Sequence, residues 1–262
     1  MTPTAEILGS KITKHIYTEA IKRLDGRALA CANNAIRFLV KADQLADVAE
    51  TVSYFCVTHA TEEAVACVVA AAKDFNYKNE ASKINPRDHF HKATVAQFAQ
   101  MASGLAEDVC LEIALHQEKT DRLLFKARPD GAVSPIYGIL SLPLFSFNPD
   151  ASDPDGSAAF ERFSSLFSDE EKMVRHIKAR ANYRNDALYA KDGGTPAMTK
   201  EALFIQLHEH TLITIGLIWA ALDMSYHDEK EPFVLQILSA ITRVCDRFKN
   251  KKLCSCCDGV IK

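Results

Sequence analysis

Apolar and polar positions alternate with a helical period along most of the chain. Ile12, Ile16, Ala20 and Leu24 form a first stripe, stopped at Asp25-Gly26. A second helix is predicted from about Arg27 to Val48, on the stripe Ala28, Ala32, Ala35, Leu39, Ala42 and Ala46. A third, rich in alanine, follows from roughly Thr51 to Phe75; alanine favours the helix and lets neighbouring helices approach closely. The polar stretch Asn76 to Asp88, with Pro86, reads as a connector. Asp88 is placed to cap a fourth helix running to about Gln117, with Val95, Phe98, Met101, Leu105, Val109 and Ile113 on one face. Prolines at 129, 135, 143, 149 and 154 then interrupt the pattern. Because this stretch also holds the apolar run Ile136 to Phe147, residues 128–157 are expected to form an ordered insertion against the body, with strand signals confined to it. Helices resume over Ser157–Ala190, Thr199–Met224 and Pro232–Lys249. The expected fold is all-α, a single helical domain of about seven helices. Its core spans 27–225, a C-terminal helix covers 226–249, and a cysteine-containing tail covers 250–262.

Composition narrows the class. The chain has 262 residues, 48% hydrophobic and 25% charged, values ordinary for a globular protein with a sizeable core. The net charge of −3 supplies no global positive field, so any contact with nucleic acid must be local. The N-terminus lacks the basic-then-apolar pattern of a secretory signal, and the run Leu212 to Leu222 is too short to span a bilayer. A cytoplasmic location without membrane contact is expected. Cys31, Cys56, Cys67 and Cys110 sit in helical apolar surroundings, where cysteine behaves as a small core residue.

Four polar clusters are candidates for chemistry. Arg184-Asn185-Asp186-Ala187-Leu188-Tyr189 precedes a strong helix stop at Asp192-Gly193-Gly194-Thr195-Pro196. Arginine suits a phosphate because its planar fork of donors is always charged. Positions five apart on a helix diverge by about 140°, so Arg184 and Tyr189 converge only if the helix ends between them or a second copy completes the site. The bland alternative is a helix end whose arginine pairs with an acid and whose tyrosine packs. Arg87-Asp88-His89-Phe90-His91-Lys92 places two imidazoles and two cations at a helix start, where backbone N–H groups favour an anion. A solvated first turn would look the same. His59, Glu62 and Glu63 share one face of an alanine-rich helix; Lys92 or Arg184 are fitting partners for the carboxylates, and a solvated acidic face would look the same. His208-Glu209-His210 lacks the histidine spacing of a zinc-protease helix; one of its histidines is expected to face out and the other a polar seam. The single C-x-x-C in Cys254-Ser255-Cys256-Cys257 is too few ligands for zinc. No glutamate is followed three positions later by histidine, which argues against a di-iron bundle. No metal and no cofactor are expected.

Taken together, three segments resemble the AbiV family of abortive-infection proteins, within the HEPN superfamily. They are Ala32-Asn33-Asn34-Ala35-Ile36-Arg37-Phe38-Leu39-Val40-Lys41-Ala42, then Thr58-His59-Ala60-Thr61-Glu62-Glu63-Ala64, then His91-Lys92 with Arg184-Asn185-Asp186-Ala187-Leu188-Tyr189. The resemblance spans about residues 27–225. It departs at two points. Ala64-Val65-Ala66-Cys67 stands where a glycine-lysine pair is expected, and Tyr189 stands where the HEPN motif carries histidine; no arginine in the chain has a histidine five to seven positions on. The resemblance implies a HEPN-like helical bundle, a homodimer with its site at the subunit interface, and RNA-directed anti-phage activity, with a phage-encoded protein as a possible activator. It implies a metal-independent endoribonuclease in which Arg184 stabilises the phosphorane, Asn185 orients it, Tyr189 exchanges a hydrogen bond and His91 acts as base. Glu62, Glu63 and Lys92 support them. The alternatives are a catalytically inactive HEPN-like module that binds RNA or protein, and a helical scaffold that recruits partners through its insertion.

Overall fold

A computed structural model describes residues 1–108, 110–115, 121–128, 131, 133–145, 156–188 and 198–253; of these, the side chains of 105–108, 183–188 and 249–253 are not described. The described residues are mostly helical. In chain order they form α1 (Pro3–Gly9), α2 (Lys11–Arg23), α3 (Gly26–Leu45), α4 (Glu50–Asp74), α5 (Lys78–Ala81) and α6 (His89–Asp108). Strands β1 (Glu112–Leu115), β2 (Leu123–Ala127) and β3 (Ile136–Ile139) and a 3-10 turn (Leu142–Phe145) follow, then α7 (Ser157–Ser164), α8 (Glu170–Leu188), α9 (Lys200–Met224) and α10 (Pro232–Leu253).

The centre is a layer of α3, α4 and α9. The stripe Ala28, Ala32, Ala35, Leu39 and Ala42 of α3 is fully buried against α4, which contributes Ala60, Ala64, Cys67 and Ala71. Small side chains on both helices bring the backbones close. α4 ends where Asn76 adopts a left-handed conformation (φ 73°) and the Tyr77 N–H donates to the Ala72 carbonyl at 2.8 Å, satisfying a carbonyl that the helix leaves open. α9 packs on α4, α2, α1 and α3 and keeps one exposed face, on which Ile205, His208 and Leu212 lie. By length and composition alone the 25-residue α4 and α9 would each suffice to cross a bilayer, more than the Leu212–Leu222 run suggests; in the bundle α4 is mostly buried and α9 is less so.

Three features differ from the sequence expectation. First, Pro3 to Gly9 is helical, capped by the Thr2 hydroxyl with Pro3 in the first turn. Second, the fourth helix stops at Asp108, and an antiparallel sheet of order β1-β2-β3 begins at Glu112, ahead of the prolines. Strand structure is therefore not confined to 128–157. Cys110 follows the helix in a left-handed conformation (φ 47°) and is exposed, so it is not the core residue its neighbours suggest. Third, the helix expected over Ser157–Ala190 is two helices. The Asp169 carboxylate accepts the Lys172 N–H (2.7 Å) and starts α8 afresh. The expected residues 146–155 of the insertion, 189–197 and 254–262 lie outside the described residues.

Candidate active site

α4 and α6 build a polar cluster around one carboxylate. On α4, His59, Glu62 and Glu63 lie at i, i+3 and i+4 on one face. α6 starts at the facing level, and its first turn is capped by Asp88, which accepts the N–H groups of Phe90 (2.8 Å) and His91 (3.3 Å). Asp88 thus fills the anion position that the helix start offers.

Glu62 is the hub. Its Oε1 lies 2.9 Å from His89 Nδ1, and its Oε2 accepts from Lys92 Nζ at 3.2 Å. The Lys92 side chain is 10% exposed and that of Glu62 15%, so this ion pair is largely out of water. His59 lies 3.6 Å from Glu62 and 3.8 Å from Glu63, outside hydrogen-bond range. Its ring is wedged between Phe38, edge-on at 4.4 Å, and Phe55, stacked at 5.7 Å, and its Nδ1 is buried without a hydrogen-bond partner among the described residues. His89 is more exposed, 42% for its side chain. A carboxylate on Nδ1 fixes the tautomer with the proton at Nδ1 and leaves Nε2 as the acceptor nitrogen. His91 has the opposite arrangement: its Nδ1 accepts the Asn85 N–H at 3.1 Å, which in a neutral ring puts the proton on Nε2. The residue is 3% exposed. The expected base is therefore a donor at its second nitrogen, while the adjacent His89 carries the geometry of a base.

Residues unmarked in the sequence complete the surroundings. Burial pushes the Cys31 thiol of α3 up; Glu63 adds to the rise, while Arg27 and Lys92 oppose it. Cys31 is accordingly held as the thiol. Burial also raises Cys56 and takes Cys67 up to about 12. Behind Glu62 lies a polar seam. The His210 Nδ1 and Thr61 Oγ1 are 2.9 Å apart, and Thr61 Oγ1 is 3.1 Å from Thr214 Oγ1. Burial depresses His210 to about 3; Arg180 adds to the fall and Glu62 opposes it. His208 faces outward, as expected of that pair.

α8 is tied to α6 by a ladder in which His176 Nε2 meets Gln97 Oε1 (3.2 Å) and both Gln97 Nε2 (3.1 Å) and Arg180 Nη1 (3.2 Å) donate to Gln100 Oε1. α8 also packs on α4, the helix that carries Glu62. Arg184 and Asn185 belong to the next turn of α8, with side chains outside the described residues; Tyr189 lies outside them altogether. Arg180 and Arg27 were missed in the sequence. Arg180 stands four positions before Arg184, a spacing that marks one helix face. Among the described residues no group of three or more His, Cys, Asp or Glu is arranged to hold a metal ion.

Comparison with protein-family models, with curated proteins and with solved structures finds no match.

Proposed function

We propose that the chain is a HEPN-like, AbiV-type defence protein, a metal-independent endoribonuclease acting on cellular or phage RNA. The observation that carries this reading is the convergence on Glu62 of His89 and Lys92, with α8, which carries Arg184, packed on both α4 and α6. Cleavage needs a base for the ribose 2′-hydroxyl, a cation for the charge growing on phosphorus and a proton donor for the departing 5′-oxygen. Glu62 orients His89, whose Nε2 takes the 2′-hydroxyl proton; the oxygen attacks phosphorus and the 5′-oxygen leaves. Arg184 stabilises the phosphorane, Asn185 orients it and Tyr189 donates a proton or hydrogen bond. Tyrosine, with a reference pKa of about 10, suits the acid role better than the base role. His91 moves from base to a positioning role, holding the Asn85 turn ahead of α6. Glu63 and Lys92 balance charge in the cluster. The protein works in the cytoplasm as a homodimer with the site at the subunit interface, released by a phage-encoded activator.

The test is cleavage of RNA by purified protein in chelator, with Arg184→Ala beside it. Loss of at least about 100-fold in Arg184→Ala supports the assignment; full activity in that variant removes Arg184 from the site.

A second reading, a catalytically inactive module that binds RNA or protein, is favoured by Tyr189 at the histidine position and by the engagement of Lys92 with Glu62. Tyr189→Ala and Tyr189→His separate the two. If Tyr189 is the acid, Tyr189→Ala slows cleavage; if the wild type cuts nothing and Tyr189→His gains cleavage, the site had lost its base.

A further inference from the structure

The open face of α9 lies along a cavity of about 990 Å³, which the helix lines from His208 to Met224. At 1.5 Å per residue that stretch is roughly 24 Å long, so the cavity is elongated. The exposed Ile113, Leu212 and Gly216 border its opening. Val69, Ile84 and Phe98, each 1% exposed, close its floor. Interiors are normally close-packed, and a largely apolar space of this size is typical of a small-molecule site. None of Glu62, His89 and Lys92 lines it, so it is separate from the Glu62 cluster.

Two features of the lining point to what it holds. The first is a pair of helical glycines, Gly104 of α6 and Gly216 of α9. Glycine is the poorest helix former after proline, and packing within the chain does not require it here: a Cβ at either position would meet nothing within 4 Å. Their missing side chains leave both backbones open to a molecule lying in the cavity. The second feature is charge. Glu6 and Glu209 line the cavity, and no lysine or arginine lies among the described residues that do so. Neither carboxylate has a hydrogen-bond or ion-pair partner among the described residues. Ser10 and Gln100, also in the lining, are already engaged: the Ser10 hydroxyl donates to Thr13 Oγ1 at 3.0 Å, and Gln100 Oε1 accepts from Arg180 at 3.2 Å. Two open carboxylates at an apolar cavity attract a cation and repel an anion. We infer that this cavity binds a single-chain cationic amphiphile, a long-chain amine, with its apolar chain along α9 and its ammonium at Glu6 and Glu209.

The probe is dodecylamine, titrated calorimetrically into the full chain. The fluorescence of Trp219, the only tryptophan and part of the lining, gives a second readout. Saturable one-to-one binding is expected below the concentration at which the amine self-associates. Decylamine, two methylenes shorter, should bind about tenfold more weakly. Dodecanol should bind about fivefold more weakly, the upper range for an exposed charge pair, and dodecanoate more weakly still. Glu6→Gln combined with Glu209→Gln should remove the preference for the amine and keep dodecanol binding. Gly216→Leu fills the cavity and should weaken dodecylamine at least about tenfold. Its thermal stability should be no lower than wild type, because leucine favours the helix more than glycine does. The amine site is overturned if dodecylamine does not saturate a single site, if dodecanoate binds as tightly as dodecylamine, or if Gly216→Leu binds as the wild type does. It is also overturned if dodecylamine fails to bind and Gly216→Leu turns a dimer into monomers in sedimentation; the cavity is then covered by a second copy of the chain.

Discussion

Two carboxylates organise this molecule, and they are satisfied in different ways. Asp223 is buried, and beside Arg122 and His227 it takes a backbone N–H and a serine hydroxyl, groups that cannot change charge. Glu62 is less deeply buried and is met by His89, Lys92 and, at longer range, His59, every one of them titratable. A carboxylate fixed by backbone and hydroxyl donors holds structure together. One surrounded by exchangeable protons near the surface is placed to move them.

The comparison can be broken most severely at Asp223. Asp223→Ala leaves Arg122, Ser141 and Leu142 without their shared acceptor and should cost about 3–5 kcal/mol in urea unfolding. Loss of less than about 1 kcal/mol would mean the hub is not structural. His210, in the seam behind Glu62, comes next. Its folded pKa is lowered to about 3, so an unfolded chain binds the proton first and stability falls with pH below about 6.5. At roughly 1.4 kcal/mol per unit, the wild type should lose about 2 kcal/mol between pH 6.5 and 5 that His210→Gln does not lose. Parallel curves for the two proteins would rule out a neutral buried His210. Glu62→Gln is the mildest for the fold. It keeps an acceptor for His89 and should cost only about 1–2 kcal/mol in thermal unfolding. Its RNA cleavage should nevertheless fall, by about tenfold or more, because an amide holds the charged imidazole less well. Equal loss of stability at Glu62 and Asp223 would erase the distinction between them.

The helical body was legible because its signal is redundant. The alanine stripe of α3 repeats over five turns, and Asp88 precedes α6 with the residue type that caps require. The sheet was not. Ile113 falls in phase with Phe98 and Met101 on a helix, and it equally alternates with Leu115 on a strand; four residues do not separate the two periods. The break before α8 carried a cap signal in Ser168-Asp169-Glu170-Glu171, obscured by the apolar residues on both sides. At the site, the Glu62–Lys92 pairing could be guessed from charge, whereas the choice between His89 and His91 could not. Residues two apart on a helix point about 200° from each other, so one turns toward Glu62 and the other toward the Asn85 turn. Only the packing of α6 on α4 decides which. The network at Asp223 was invisible for a similar reason, since Ser141 and His227 lie 86 residues apart.

The central claim is that Glu62 and His89 form the base of a metal-free ribonuclease, and it is tested most directly at His89. Labelled RNA is incubated in chelator with the activated wild-type protein and with His89→Ala of matched thermal stability. Wild-type products should end in a 2′,3′-cyclic phosphate, and His89→Ala should lose about 100-fold or more in rate. Cleavage by His89→Ala at the wild-type rate would contradict it.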